Sequence, residues 1–140
     1  MNEIRYLRNC WYVAGLTNEV TSKPVASCIL DEPLVLFRTP SNGKIVILED
    51  RCVHRQAPLS LGEVVNNNIQ CRYHGWTYGS DGKLVGAPLW RNAFGGMSKE
   101  DNGLTTAAQV RAYHGLIFAT LDPTAPPLEE YLGGMAWYLD

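Results

Sequence analysis

The chain has 140 residues, of which 46% are hydrophobic and 19% charged, a composition that suits one compact domain and leaves no comfortable room for a second. A formal net charge of -2 and the lack of any Lys/Arg cluster exclude nucleic acid as a partner. No stretch is apolar over the length that a membrane span or signal segment needs, so the sequence reads as soluble, unexported and cytoplasmic, with no membrane partner.

Short runs rich in β-branched and aromatic residues recur between Gly, Pro, Asn and Asp, a pattern that predicts an all-β, antiparallel architecture. The first strands are Trp11 to Ala14 and Val25 to Leu30. Leu34 to Arg38 and Ile45 to Leu48 then form a hairpin over the four-residue connection Ser41-Asn42-Gly43-Lys44. Ile69 to Tyr73 and Trp76 to Tyr78 follow, and Gly79-Ser80-Asp81-Gly82 turns the chain into Lys83 to Val85. Residues 86 to 103 show no clean period and are read as a long loop. Ala107 to Tyr113 and Leu116 to Leu121 make a last hairpin turning at His114-Gly115, Pro123 to Pro127 breaks the sheet, and a short helix begins near Leu128. There is no internal repeat.

The chemistry is concentrated in Cys52-Val53-His54 and, after sixteen intervening residues, Cys71-Arg72-Tyr73-His74. Four cysteines could form two disulfides, but Cys52 and Cys71 each sit within three residues of a histidine, which favours metal binding in a reducing compartment. Cys10 and Cys28 have no such neighbours and are expected to be small buried hydrophobes. Each motif offers one thiolate and one imidazole, unlike the paired Cys-x-x-Cys knuckles that close around a single structural zinc. A two-metal cluster suits this set better. In a Rieske [2Fe-2S] centre one iron takes two cysteines and the other two histidines, so Cys52, His54, Cys71 and His74 are the candidate ligands. Two neutral imidazoles in place of two thiolates raise the reduction potential.

Around the ligands, Gly62, Gly75 and Gly79 suit close approach of backbone to sulfur, and Pro58 stiffens the first loop; a purely structural role is the alternative for each glycine. Tyr73 and Tyr78 are candidates to donate O-H bonds to sulfur, with core packing as the alternative. Arg51, Arg55 and Arg72 either dock an acidic partner or pair with neighbours such as Glu49 and Asp50. His114, the one histidine outside the motif, reads as a turn residue. Once His54 and His74 serve the cluster, too few histidines remain for a mononuclear iron site of two histidines and a carboxylate.

Arg51-Cys52-Val53-His54-Arg55-Gln56-Ala57-Pro58-Leu59-Ser60-Leu61-Gly62, with Cys71-Arg72-Tyr73-His74-Gly75-Trp76-Thr77-Tyr78, resembles the Rieske domain of ring-hydroxylating and related Rieske non-haem iron oxygenases. Trp76 stands where respiratory Rieske proteins usually carry serine, and the extra disulfide cysteines of those proteins are missing, which implies a lower-potential centre. Asn9 to Ala14 resembles the opening of such oxygenases, and Tyr113 to Phe118 with Pro126 to Gly133 resembles the end of the Rieske domain in a large (alpha) subunit.

The resemblance implies antiparallel sheets forming a base, a cluster-binding subdomain at about 49-85, and supporting roles for Arg55, Tyr73, Gly75, Trp76 and Tyr78 beside the ligands. It also implies an electron donor, a reductase or ferredoxin, and a catalytic domain with mononuclear Fe(II), in a neighbouring subunit of a homo-oligomer, as acceptor. On this reading the 140 residues carry electrons for aromatic hydrocarbon catabolism without the iron that activates oxygen. The apolar run Met135 to Leu139 favours a module of a larger oxygenase over the alternative, a free-standing Rieske-type ferredoxin. A zinc domain is the third reading.

Overall fold

In the computed structural model, residues 7-53, 56-73, 75-86 and 103-139 are described. Among these residues ten strands fall into three antiparallel sheets. The first has the order β1 (Tyr12–Leu16), β10 (Leu116–Thr120), β9 (Gln109–Tyr113). The second is β2 (Val25–Ile29), β3 (Glu32–Arg38), β4 (Ile45–Glu49). The third is β5 (Glu63–Val65), β6 (Asn68–Gln70), β7 (Thr77–Tyr78), β8 (Leu84–Gly86).

The second sheet is the middle of the molecule. β3 carries an unbroken apolar run because it is covered on both faces. Successive strand residues face opposite ways, so Leu34 and Leu36, with Ile47 of β4, join a core with Ala14, Ile117 and Ala119. Val35 and Phe37, with Val46 and Leu48 of β4, join the other core, which includes Ile69, Trp76, Tyr78, Leu84 and both Cys52 and Cys71. The motif cysteines are thus part of a hydrophobic core anchored on β3 and β4. A smaller core on the outer side of β10 packs Trp11 and Phe118 against Leu128 at the start of the helix Leu128–Leu132, and Trp11 Nε1 donates to Pro126 O at 2.9 Å.

Tight turns account for several differences from the sequence reading. Leu30 does not extend β2. With Asp31 it forms a two-residue turn at φ 55° and 62° between the paired Ile29 and Glu32, the twist that suits a right-handed hairpin. The hairpin β3-β4 closes one residue earlier than the expected Ser41 to Lys44, with Thr39 N-H bonded to Lys44 O and Pro40 to Gly43 inside. The strand expected over Ile69 to Tyr73 ends at Gln70, because Cys71 leaves the ladder to close its own loop. Ala107 precedes β9 because its N-H goes instead to Ile47 O, tying this segment to β4. The three-residue β5 has too few residues to show a period, and it is joined to β6 by Asn66 and Asn67 at φ 51° and 66°. His114 and Gly115 turn β9 into β10 as expected, the His114 ring standing edge-on to Tyr113.

Cys28 is exposed and Cys10 half-buried, against expectation. Cys28 falls on the outward side of the alternating β2. Most of the segment read as a long loop, residues 87-102, lies outside the described residues. Among the described residues no helix is long and apolar enough to cross a membrane. Because Phe37 joins β3 to the core that holds both cysteines, Phe37→Ala should cost about 3–5 kcal/mol, read as a fall in the urea midpoint at unchanged m-value.

Candidate metal centre

Two loops carry the motif, and they are closed by the same pair of backbone hydrogen bonds. In the first, Cys52 N-H donates to Ala57 O at 2.7 Å and Gln56 N-H to Cys52 O at 2.6 Å. In the second, Cys71 N-H donates to Trp76 O at 2.7 Å and Gly75 N-H to Cys71 O at 3.2 Å. In each loop the residue four after the cysteine is left-handed, Gln56 at φ 62° and Gly75 at φ 73°. Gly75 therefore serves as the residue able to take that conformation without a Cβ penalty, while Gln56 adopts it at a cost of about 1 kcal/mol. His54, Arg55 and His74 lie outside the described residues.

Cys52 and Cys71 are 1% and 3% exposed, and neither is in a disulfide. Leu59, Trp76 and Ile69 share their core and keep water from the sulfurs. Tyr78 is fully buried, with its Oη 3.6 Å from Cys52 Sγ and accepting from Val53 N-H at 3.0 Å. Burial first, and then the bond to Cys52, push the Tyr78 phenol far above its ordinary value, against a smaller opposing effect of the Val53 N-H. Either the Tyr78 O-H or the Cys52 thiol can donate in this contact; a metal-bound thiolate would leave only the O-H as donor. Tyr73, the other candidate, is 61% exposed. The turn at Arg72 and Tyr73 puts it on the surface, whereas Tyr78 on β7 faces inward. That difference depends on the chain leaving β6 at Gln70.

The neighbouring polar groups brace these loops. Ser60 N-H and Ser60 Oγ both donate to the Asp50 carboxylate, at 2.7 and 2.6 Å. The Gly75 carbonyl accepts from Thr77 Oγ1 at 3.1 Å and from Gln70 Nε2 at 3.4 Å. Arg51 pairs with Glu49 at 2.6 Å, the ordinary alternative for that arginine, and Thr105 N-H also donates to Glu49. Burial would raise the Glu49 carboxyl, but the Thr105 and Arg51 bonds outweigh it and hold the group below its usual value. Arg72 is exposed. Gly62 ends the first loop where the second begins: a Cβ there would lie 2.1 Å from Gln70 O. Pro58 precedes the 3-10 turn Leu59–Leu61, and Gly79 N-H bonds to Lys83 O in the turn to β8.

This donor set fits a [2Fe-2S] cluster, with two buried, unbridged thiols on equivalent loops, an O-H group at one sulfur, and a histidine following each cysteine in sequence.

Comparison with known proteins agrees. The model of the Rieske [2Fe-2S] domain matches residues 10–118, and the chain belongs to that family. Its relatives are oxygenase components. It is 42% identical over 108 residues to the N,N-dimethyl phenylurea N-demethylase subunit alpha of Sphingobium sp. (strain YBL2), covering 76% of this chain and 24% of the relative. To the large oxygenase component of the naphthalene 1,2-dioxygenase system of Pseudomonas putida it is 37% identical over 108 residues, again 76% and 24% of the two chains. A crystal structure of dicamba monooxygenase with non-heme iron and dicamba superposes with a TM-score of 0.76 at 36% identity, covering 88% of this chain and 36% of that one. The 140 residues thus span about a quarter to two fifths of the relatives they match.

Two substitutions test this geometry. Tyr78→Phe should lower the reduction potential by roughly 20–60 mV, the one-electron equivalent of a hydrogen bond worth about 0.5–1.5 kcal/mol, in a redox titration. Gly62→Ala should destabilise the protein by about 3 kcal/mol and reduce cluster content, measured by chemical denaturation and iron analysis.

Proposed function

We propose that this chain is the electron-relay module of the alpha subunit of a Rieske non-haem iron oxygenase, with Cys52, His54, Cys71 and His74 as the cluster ligands. The pair of loops with the same closing hydrogen bonds, each holding a buried cysteine, carries this reading. A bound [2Fe-2S] cluster supplies reversible one-electron chemistry at a potential raised by its two imidazoles. Around it the chain's own residues hold the thiolates, keep water out with Leu59, Ile69 and Trp76, and present the Tyr78 proton to Cys52 Sγ.

Residues at about 49-85 make up the cluster-binding subdomain, and the first two sheets are its base. Electrons arrive from a reductase or ferredoxin and leave toward mononuclear iron in a catalytic domain of a neighbouring subunit, in the service of demethylation or ring hydroxylation of an aromatic compound. The relatives' names support that substrate class. Exposed Met135, Trp137 and Tyr138 provide an apolar face for contact with the rest of such an oxygenase.

The purified chain should be coloured, contain about two irons and about two acid-labile sulfides, and give a Rieske-type EPR signal after dithionite reduction. Cys71→Ser should lose colour and signal together, because cluster binding and loop folding are coupled. A colourless protein holding stoichiometric zinc overturns the proposal.

A further inference from the structure

The first motif loop is closed twice. The inner closure is the Cys52-Ala57 backbone bond. The outer closure is made by side chains: both carboxylate oxygens of Asp50 are occupied by one residue, Ser60, through its N-H and its hydroxyl. Two short bonds from a single carboxylate to a single residue fix direction as well as distance, and a charged acceptor makes them stronger than neutral ones. Each end of this clamp is anchored in turn. Asp50 N-H donates to Pro33 O, at the start of the central strand β3. Ser60 sits in the 3-10 turn whose Leu59 is fully buried beside Cys52 and Tyr78. The clamp therefore spans the loop from a rigid strand to the core in which the sulfur is held.

We infer that Asp50 and Ser60 are positioning residues for the electron-transfer centre, clamping the loop 51-59 so that Cys52 Sγ stays within reach of the Tyr78 hydroxyl. The two groups act on the sulfur through the loop that they hold. A clamp serving stability alone would change how much protein folds and leave the centre's properties untouched. A positioning clamp changes the strength of the Tyr78-to-sulfur bond, and with it the reduction potential.

This inference rests on the proposed Rieske reading, and a double-mutant cycle on the loaded protein separates the two. Ser60→Ala removes the hydroxyl bond and leaves the backbone N-H bond. It should lower the reduction potential in the same direction as Tyr78→Phe and by a smaller amount, with an altered EPR line shape. Ser60→Thr, which keeps the hydroxyl, should restore both. In the Tyr78→Phe background Ser60→Ala should produce little further shift, because the bond it acts through is already gone. An unchanged potential and EPR signal in Ser60→Ala, or a shift of the same size with and without the Tyr78 hydroxyl, overturns the clamp. If Ser60→Ala fails to load, Ser60→Thr decides: a wild-type signal supports the clamp, and failure to load overturns it. A wild-type chain without any Rieske signal overturns the function itself, and this inference with it.

Discussion

Burial of both faces of β3 and β4 is the constraint on which the molecule is built. Alternate residues of β3 belong to two different cores, so each turn or loop beyond the sheet is placed relative to one rigid strand. On one side Leu34 and Leu36 meet the β1-β10-β9 sheet; on the other Val35 and Phe37 meet the hydrophobic residues that enclose the cysteines. Apolar burial at about 25 cal/mol per Å² makes such a doubly covered strand the costliest place in the fold to disturb.

The electrostatic design follows from the packing. Burial and the contact with Cys52 Sγ raise the Tyr78 phenol, and the Val53 N-H bonds to its oxygen, so the buried hydroxyl is held 3.6 Å from that sulfur. Charged groups are kept at the margin of this core. Glu49 pairs with Arg51 and accepts from Thr105, and Asp50 is taken up by Ser60, so the carboxylates brace the first loop from outside. The second loop has no such carboxylate clamp among the described residues; its Gly75 carbonyl is held by neutral donors from Thr77 and Gln70. The two loops are alike in their closing backbone hydrogen bonds and differ in how they are braced.

Much of the architecture was legible in the sequence because its signals are local. The runs from Val25, Leu34, Ile45, Ala107 and Leu116 all overlap the strands they suggested, and the turns at Asn42-Gly43 and His114-Gly115 consist of residues that tolerate positive φ. The misreadings have local causes too. Leu30 is not a residue that sequence rules place in a left-handed turn, yet the pairing of Ile29 with Glu32 forces it there. Ile69 to Tyr73 looks like one β-rich run, but the loop closure of Cys71 takes its second half out of the ladder.

The sequence by itself determined the chemistry: a thiol and an imidazole in each of two motifs, with a spacing that suits two metals better than one, and a resemblance that the family comparison bears out. Only the tertiary structure decided which tyrosine serves the sulfur, how Gln56 and Gly75 come to play the same backbone part, and that Asp50 reaches Ser60. The reason is physical. Thiol and imidazole chemistry is a property of side chains that can be read one at a time. Orientation toward a sulfur depends on where a strand ends and which face of a core closes over it.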